Sequence, residues 1–329
     1  MSFSVSPFSE ALCSVVDFEP FRLLFCDIAG WKLIHQGLVD ASVVKAYQLG
    51  PETSVEEMLL ANPKTDAGFL RLYKYNNVPQ QVMRSNDQSW DTGGIFDYNV
   101  RIKSMAELFP QLQRLGWRGA TPPVSFKLGE SDVIEWIAMN HHVRIAFIER
   151  VAPKLVGWEQ INPVSQMFNS SQIVTNIDES LAFYCDFLGF KLAIKAGNLN
   201  KEAGANPLGI PLNRSHIEDY ELAIVQPGDT MIGSVELVKF NSLQGHDFSA
   251  NNQPPNLGMQ GLRFKVSDAQ ALSDKALQQQ VTILSPLQDV YIAGLGNYSE
   301  YGLANVKLLT LQSPDGAWLE FYQPLDAAI

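Results

Sequence analysis

The chain has 329 residues, 46% hydrophobic and 18% charged, and its 35 acidic against 24 basic side chains give a formal net charge of −11. That balance excludes a disordered chain, which pairs low hydrophobicity with high charge, and the 18 Phe, 10 Tyr and 6 Trp supply material for a sizeable core. With no basic cluster, a phosphate backbone or an anionic membrane surface is a poor partner, so neither nucleic acid nor membrane is expected.

Three cysteines, Cys13, Cys26 and Cys185, are too few and scattered for a disulfide framework. The N-terminal stretch MSFSVSPFSEALCSVVDFEPF lacks a basic start and a continuous apolar run, and nowhere do about 18 apolar residues follow one another. A cytoplasmic protein is the expectation.

Along the chain, the first helical signal is VDFEPFRLLFCDIAGWK, residues 16–32, and it returns as TNIDESLAFYCDFLGFK, residues 175–191, at an offset of 159. GFLRLYKY from Gly68 returns as GSVELVKF from Gly233, at an offset of 165, and DYNVRIKS from Asp97 lies over GLRFKVSD from Gly261, at an offset of 164. MAELFPQLQRL then predicts a helix, and VIEWIAM and VRIAFIERV predict two strands. RVAPKLVGWEQINPVS, with Pro153 and Pro163, reads as a linker.

In the second half SSQIVTN alternates like a strand, Asp178 is placed to cap a helix carrying Leu181, Tyr184 and Leu188, and Gly189 ends that helix in a left-handed conformation. Strands KLAIKAG, YELAIVQP and GSVELVKF follow, giving the order βαβββ. From Gly261 the order recurs: strand LRFKVSD, helix AQALSDKALQQQ, strand VTILSPL, then VKLLTLQSP and AWLEFYQP about a Pro314-Asp315-Gly316 turn. The drift in offset is what loop insertions produce, and two homologous halves are expected: residues 1–150, a linker at 151–167, and 168–329.

IVTNIDESLAFYCDFLGFK together with SPDGAWLEFYQP resembles the vicinal oxygen chelate superfamily, which includes glyoxalase I, extradiol dioxygenases and bleomycin-resistance proteins. The resemblance covers residues 168–325 well and 8–150 moderately. It implies an α+β fold of two tandem domains, each a pair of βαβββ modules in a half-open mixed β-barrel, with a ligand and often a divalent metal inside. It also implies a small-molecule partner; a monomer or homodimer is expected, and no nucleotide cofactor, because Gly294-x-Gly296 does not sit between a strand and a helix and no Gly-Lys-Ser/Thr loop occurs.

The family's metal positions lie on the first and last strand of each module. Carried across, they fall on Asn169, Glu236, Gly261 and Glu320 in the second half, and on Glu10, Arg71, Asp97 and Ala146 in the first. No position supplies a histidine, so an iron site of two imidazoles and a carboxylate is disfavoured. Glu236 and Glu320 are the candidate catalytic acids, and they could instead hold a weak Mg, Mn, Zn or Fe ion, or none. Arg71 at a metal position suggests a built-in cation paired with Glu10 and Asp97, leaving the first half without chemistry; the alternative is a strand register that turns Arg71 outward.

Strand alternation places Asn169, Ser171, Ile173, Arg263, Trp318 and Tyr322 on the face shared with the two acids. Asn169, Arg263, Trp318 and Tyr322 are therefore the candidate ligand-binding residues, with packing as the alternative for the two aromatics. The loops 241–258 and 294–302 are candidate lids. Adjacent His141 and His142 suit a turn, His216 and His246 the surface, and Cys26 and Cys185 the core. The function expected is isomerase or lyase chemistry on a small aromatic or carbonyl-bearing metabolite. The alternatives are a metal-free sequestering protein and, third, a metal-dependent dioxygenase.

Overall fold

The structure is a computed structural model that describes residues 3–86, 88–158, 161–197, 202–295 and 303–325. Four modules follow one another. The first holds β1 (Val5–Ser14), α1 (Glu19–Arg22), β2 (Lys32–Leu38), α2 (Ala41–Ala46), β3 (Ser54–Ala61) and β4 (Phe69–Asn76). The second holds β5 (Asp97–Ile102), α3 (Met105–Arg114), β6 (Val124–Leu128), β7 (Ser131–Asn140) and β8 (Val143–Ala152). The third is β9 (Val164–Ile173), α4 (Ile177–Leu181), β10 (Lys191–Ala196), β11 (Tyr220–Gln226) and β12 (Ser234–Phe240). The fourth is β13 (Gly258–Val266), α5 (Ala269–Gln278), β14 (Ile283–Ala293), β15 (Leu303–Gln312) and β16 (Trp318–Pro324).

The repeat is visible in backbone detail. Both α1 and α4 run on into a π-helical turn, Leu23–Ile28 and Ala182–Phe187, and both turns are closed by a left-handed glycine, Gly30 at φ +70° and Gly189 at φ +83°. The cap of α4 is Asn176 rather than Asp178: its side-chain oxygen accepts from the Asp178 and Glu179 amides at 3.1 and 3.4 Å. Cys26 and Cys185 sit on these turns half-buried, packed against the core rather than inside it. Among the described residues no helix is long and apolar enough to cross a membrane.

Two curled sheets of eight strands result, and each is a pair of modules. The pairing is not between sequence neighbours. One sheet, β14-β15-β16-β13-β1-β4-β3-β2, joins the first module to the fourth; the other, β10-β11-β12-β9-β5-β8-β7-β6, joins the second to the third. Each half of the sequence, 1–150 and 168–329, thus contributes one module to each barrel, and the connection between them runs from the end of β8 at Ala152 to the start of β9 at Val164.

In both sheets the first strands meet antiparallel at the centre, β1 against β13 and β5 against β9, with each module's last strand parallel beside its first. Central strands are mostly buried, and β9 is buried throughout. The edge strands β2 and β10 are largely exposed and carry Lys32, Lys191 and Lys195, charges that discourage edge-to-edge pairing.

The sheet faces turned away from the barrel interiors share one core with the helices, containing Phe8, Phe264 and Phe321 of the outer-module sheet and Tyr98 and Phe147 of the inner. The Tyr98 hydroxyl crosses between the sheets, 2.7 Å from the Gly261 carbonyl and 2.9 Å from that of Leu12. The barrel interiors differ. The outer barrel is filled by α2 and the aromatics Tyr47, Tyr73, Tyr75, Trp318 and Tyr322. At the corresponding place between β10 and β11, the inner barrel has instead a loop whose Asn206, Pro207 and Leu208 roof a cavity.

Candidate functional site

The inner-barrel cavity has a volume of about 230 Å³ and is walled mainly by Phe126, Val133, Ile148, Phe168, Ile194 and Leu222. That is on the small side of the roughly 300–1,000 Å³ of ligand pockets, which suits a small metabolite. Its roof is fixed by Asn206, whose side chain holds both the carbonyl and the amide of Ile210 at 2.8 and 2.9 Å.

Strand register orders the polar residues on its floor. One row crosses from Glu236 on β12 through Ser171 on β9 to Asp97 on β5. The next runs Ser234, Asn169, Asn99, Ala146, Ile137, and a third runs from Arg101 through Ile148 to Glu135. In the middle row Asn99 donates to the Asn169 side-chain oxygen, and Asn169 donates to Ser234 Oγ at 2.6 Å, so both amides are oriented by each other.

Three carboxyls therefore face an apolar space. Burial first, then the like charges of Glu236 and Asp97, pushes Glu135 up to about 8 against the opposing pull of Arg101. Burial and Asp97 do the same to Glu236, also to about 8, and Asp97 itself is raised to about 6 by burial, with Ser171 and Arg144 opposing. At neutral pH the two glutamates carry their protons. Arg101, over the Phe168 ring at 4.6 Å, is lowered to about 10 by burial and by Arg150.

Of the residues expected from the sequence, Asn169 and Glu236 line this cavity, with Ser171 and Ile173. Glu320, Arg263, Trp318 and Tyr322 do not: they belong to the other barrel, so Glu236 and Glu320 never converge and cannot share an ion or a substrate. Asp97 is likewise in the inner barrel, away from Arg71. The reason is topological, because the expected set assumed that modules adjacent in sequence share a sheet.

The outer barrel holds the built-in cations. Arg71 grips both Glu10 oxygens at 2.6 and 2.7 Å and Glu57 at 2.6 Å, while Arg263 donates to Glu10 and, at 2.7 Å, to Glu320. Tyr47 and Trp318 complete Glu320 at 2.7 and 2.9 Å. All of these charges are fully or almost fully buried. Burial alone would raise Glu10, but Arg71 and Arg263 outweigh it and hold the carboxyl below its ordinary value. Tyr322 instead meets Ser9 at 3.0 Å.

Register also shifts two expected positions. Glu10 lies opposite Arg263, not Gly261, and Asn169 lies opposite Asn99, not Asp97, so each position on the second and fourth modules moves two residues along the same face. Glu135, Arg101 and Arg150 were not anticipated. The alternation of VIEWIAM and of VRIAFIERV marks their faces, but only the pairing of β5 with β9 turns those faces toward Glu236.

Neither set of positions suits a divalent ion. The outer one contains two arginines; the inner one offers a protonated Glu236, two amides committed to each other, and Ala146. Among the described residues no three of His, Cys, Asp or Glu are grouped to hold a metal. His141 and His142 occupy the β7–β8 turn with positive φ, and His216 and His246 are exposed. The loop 241–258 packs on Asp91 and Thr92 and does not reach the cavity; of 294–302, residues 296–302 lie outside the described residues.

The sequence profile of the Glyoxalase/Bleomycin resistance protein/Dioxygenase superfamily matches residues 166–321. Just under half of the chain is thus similar to that superfamily. Glyoxalase I from Zea mays superposes with a TM-score of 0.61 at 14% identity, over 98% of this chain and 93% of the maize chain, and a point mutant of that enzyme gives 0.62 at 15% over the same shares. A putative dioxygenase from Bacillus subtilis gives 0.60 at 12%, over 98% and 86%. At these identities the likeness is one of fold. No curated protein matches the sequence. The fold the chain shares with these structures has here two half-barrels of two modules each, one filled and one hollow.

Proposed function

We propose that this protein binds a small, mainly apolar metabolite in the inner-barrel cavity and moves a proton on it, as an isomerase or lyase whose acids are Glu236 and Glu135. The observation that carries the reading is that these two carboxyls face one apolar space, where burial pushes both up to about 8, close to the operating pH that suits a general acid or base. Their separate rows let one approach a ligand from the β12 side and the other from the β7 side. The Asn99–Asn169 pair between them presents fixed dipoles to a polarised carbonyl. Asp97, beside Ser171 in the Glu236 row, tunes Glu236.

No step runs through a metal, since the donors do not fit one. A dioxygenase finds no support in the donor set: none of the five histidines lines the cavity. A silent binding protein is the second reading, favoured by walls that are mostly hydrocarbon.

Deuterium exchange at the carbon next to the carbonyl separates the two, with phenylacetone and phenylpyruvate as probes followed by proton NMR at pH 7.5. Exchange well above background, reduced at least about tenfold in both Glu236→Gln and Glu135→Gln, is expected, in line with the usual contribution of a positioned general base. Equal rates for wild type and the double glutamine variant would reject catalysis by these acids and leave binding alone.

A further inference from the structure

We infer that the cavity is built for an anion, a monocarboxylate with an apolar body, whose carboxylate is gripped between Arg101 and Arg150. The inference rests on the inner cavity being the ligand site and names the class of ligand it takes.

Arg101 is the register partner of Ile148, and Arg150 is the next residue along the same face of β8, so the two guanidiniums enter the cavity from adjacent strands. Among the described residues neither makes a hydrogen bond or ion pair through its guanidinium, and the Nε of each is buried without a partner. Arg71, Arg263 and Arg84 show the contrast. Arg71 and Arg263 are paired with carboxylates on every side, and Arg84 donates to the Asp91 and Gly93 carbonyls at 2.7 and 2.8 Å.

Two like charges held together without a counter-charge are costly unless something supplies one. The carboxyls at hand do not: Glu135 and Glu236 sense Arg101 but make no bond to it, and both are protonated at neutral pH. Stacking on Phe168 fixes the plane of Arg101 and leaves its donor edge free for a planar, bidentate acceptor. Beyond the arginines the walls are apolar, from Phe126, Leu128 and Val133 to Ile194 and Leu222, which accommodates a ring or branched chain.

The one carboxyl of the cavity that is ionised at neutral pH has cations of its own. Asp97, raised to about 6 and so mostly ionised at pH 7, is met by Arg144 and Arg84, which lie against Phe96 at 4.5 and 5.5 Å, and it does not neutralise Arg101 or Arg150. The other two carboxyls make affinity depend on pH. Ionising Glu135 and Glu236 adds negative charge to the cavity, so a bound carboxylate is repelled as pH rises through about 8.

Calorimetric titration of the intact protein at pH 7 with 2-naphthoate, 2-naphthamide and phenyl phosphate tests this. The carboxylate should bind at least about tenfold more tightly than the amide and more tightly than the phosphate, the scale expected for a charge-assisted bidentate contact. Arg101→Gln and Arg150→Gln should each remove that advantage while leaving amide affinity within about twofold, which also reports that the variant is folded. Raising the pH to 8.5, above the two glutamates but well below Arg101, should weaken naphthoate binding in the wild type but not in the Glu135→Gln/Glu236→Gln variant.

Equal affinity of the wild type for naphthoate and naphthamide would overturn the anion assignment, whatever the variants do, and leave the cavity as a site for neutral ligands. Tighter phenyl phosphate would replace carboxylate by phosphate and overturn the monocarboxylate class. Failure of every probe to bind would overturn both this assignment and the cavity reading beneath it.

Discussion

Glu236 and Glu320 hold matching sequence contexts yet have opposite electrostatic fates. Glu320 is fully buried and receives Arg263, Tyr47 and Trp318, whereas Glu236 faces the cavity, receives no hydrogen bond from the described residues, and is pushed up to about 8 by burial. The consequences for stability have opposite signs. A carboxyl near 8 when folded, against an ordinary 4.5, binds more protons in the fold than out of it, so stability falls as pH rises from about 4.5 to 8. Each such group contributes at most about 1.4 kcal/mol per pH unit of slope. Urea denaturation at pH 6 and pH 8 should therefore show a smaller loss in Glu236→Gln than in wild type; parallel losses would contradict the raised value. Glu10, held low by its arginines, acts the other way: its contribution is present above the ordinary carboxylate value and is lost as pH falls through its lowered one. Removing one partner from that cluster, as in Arg263→Gln, should destabilise by about 3–5 kcal/mol through a buried Glu320 left without its cation, without altering probe binding in the inner cavity.

At the level of elements, two kinds of repeated glycine can be told apart. Gly30 and Gly189 end the π-helical turns with positive φ and open space around them, so Gly189→Ala should cost only the conformational penalty of about 1–2 kcal/mol. Gly68 and Gly233 also have positive φ, but a Cβ would lie 2.0 Å from the Met167 carbonyl oxygen or 2.4 Å from the Pro7 Cα, each on the first strand of a module in the opposite sheet. Gly68→Ala must displace backbone at the junction of the two sheets, and a thermal denaturation midpoint lowered clearly more than that of Gly189→Ala is expected. Helix α2 is the other decisive element. Its Val43, Ala46 and the following Tyr47 fill the outer barrel, while the loop in the same place of the third module leaves the inner barrel hollow.

For the whole molecule the exchange of modules is the governing fact. Because β1 pairs with β13 and β5 with β9, the central ladder of each sheet joins the two halves of the chain. A fragment of residues 1–158 would leave both β1 and β5 without their antiparallel partners, exposing long, buried, apolar edges. Such a fragment is expected not to persist as a folded monomer, and co-expression with residues 161–329 should restore a 1:1 complex with the native near-ultraviolet circular dichroism. A monomeric fragment with a cooperative thermal transition would show that either half can close a barrel by itself.

The sequence alone determined the module. The repeated aromatic-Cys-Asp helix, the alternating strands, the left-handed Gly189 and the turn chemistry at Pro314-Asp315-Gly316 are local, and local periodicity reports which face of an element is apolar. It therefore identified Glu10 and Arg71 as a buried pair and placed Asn169, Ser171 and Glu236 on an inward face. What it could not carry was which faces meet. Homologous modules have interchangeable edges, so the same four βαβββ patterns are compatible with neighbours pairing in sequence or with the first pairing to the fourth, and only the tertiary packing chose between them. That choice moved Glu320, Arg263, Trp318 and Tyr322 into a filled barrel. It brought Asp97, Arg101, Glu135 and Arg150 to Glu236, and with them the unusual protonation of the cavity, since burial and charge proximity are properties of assembled space rather than of any one strand.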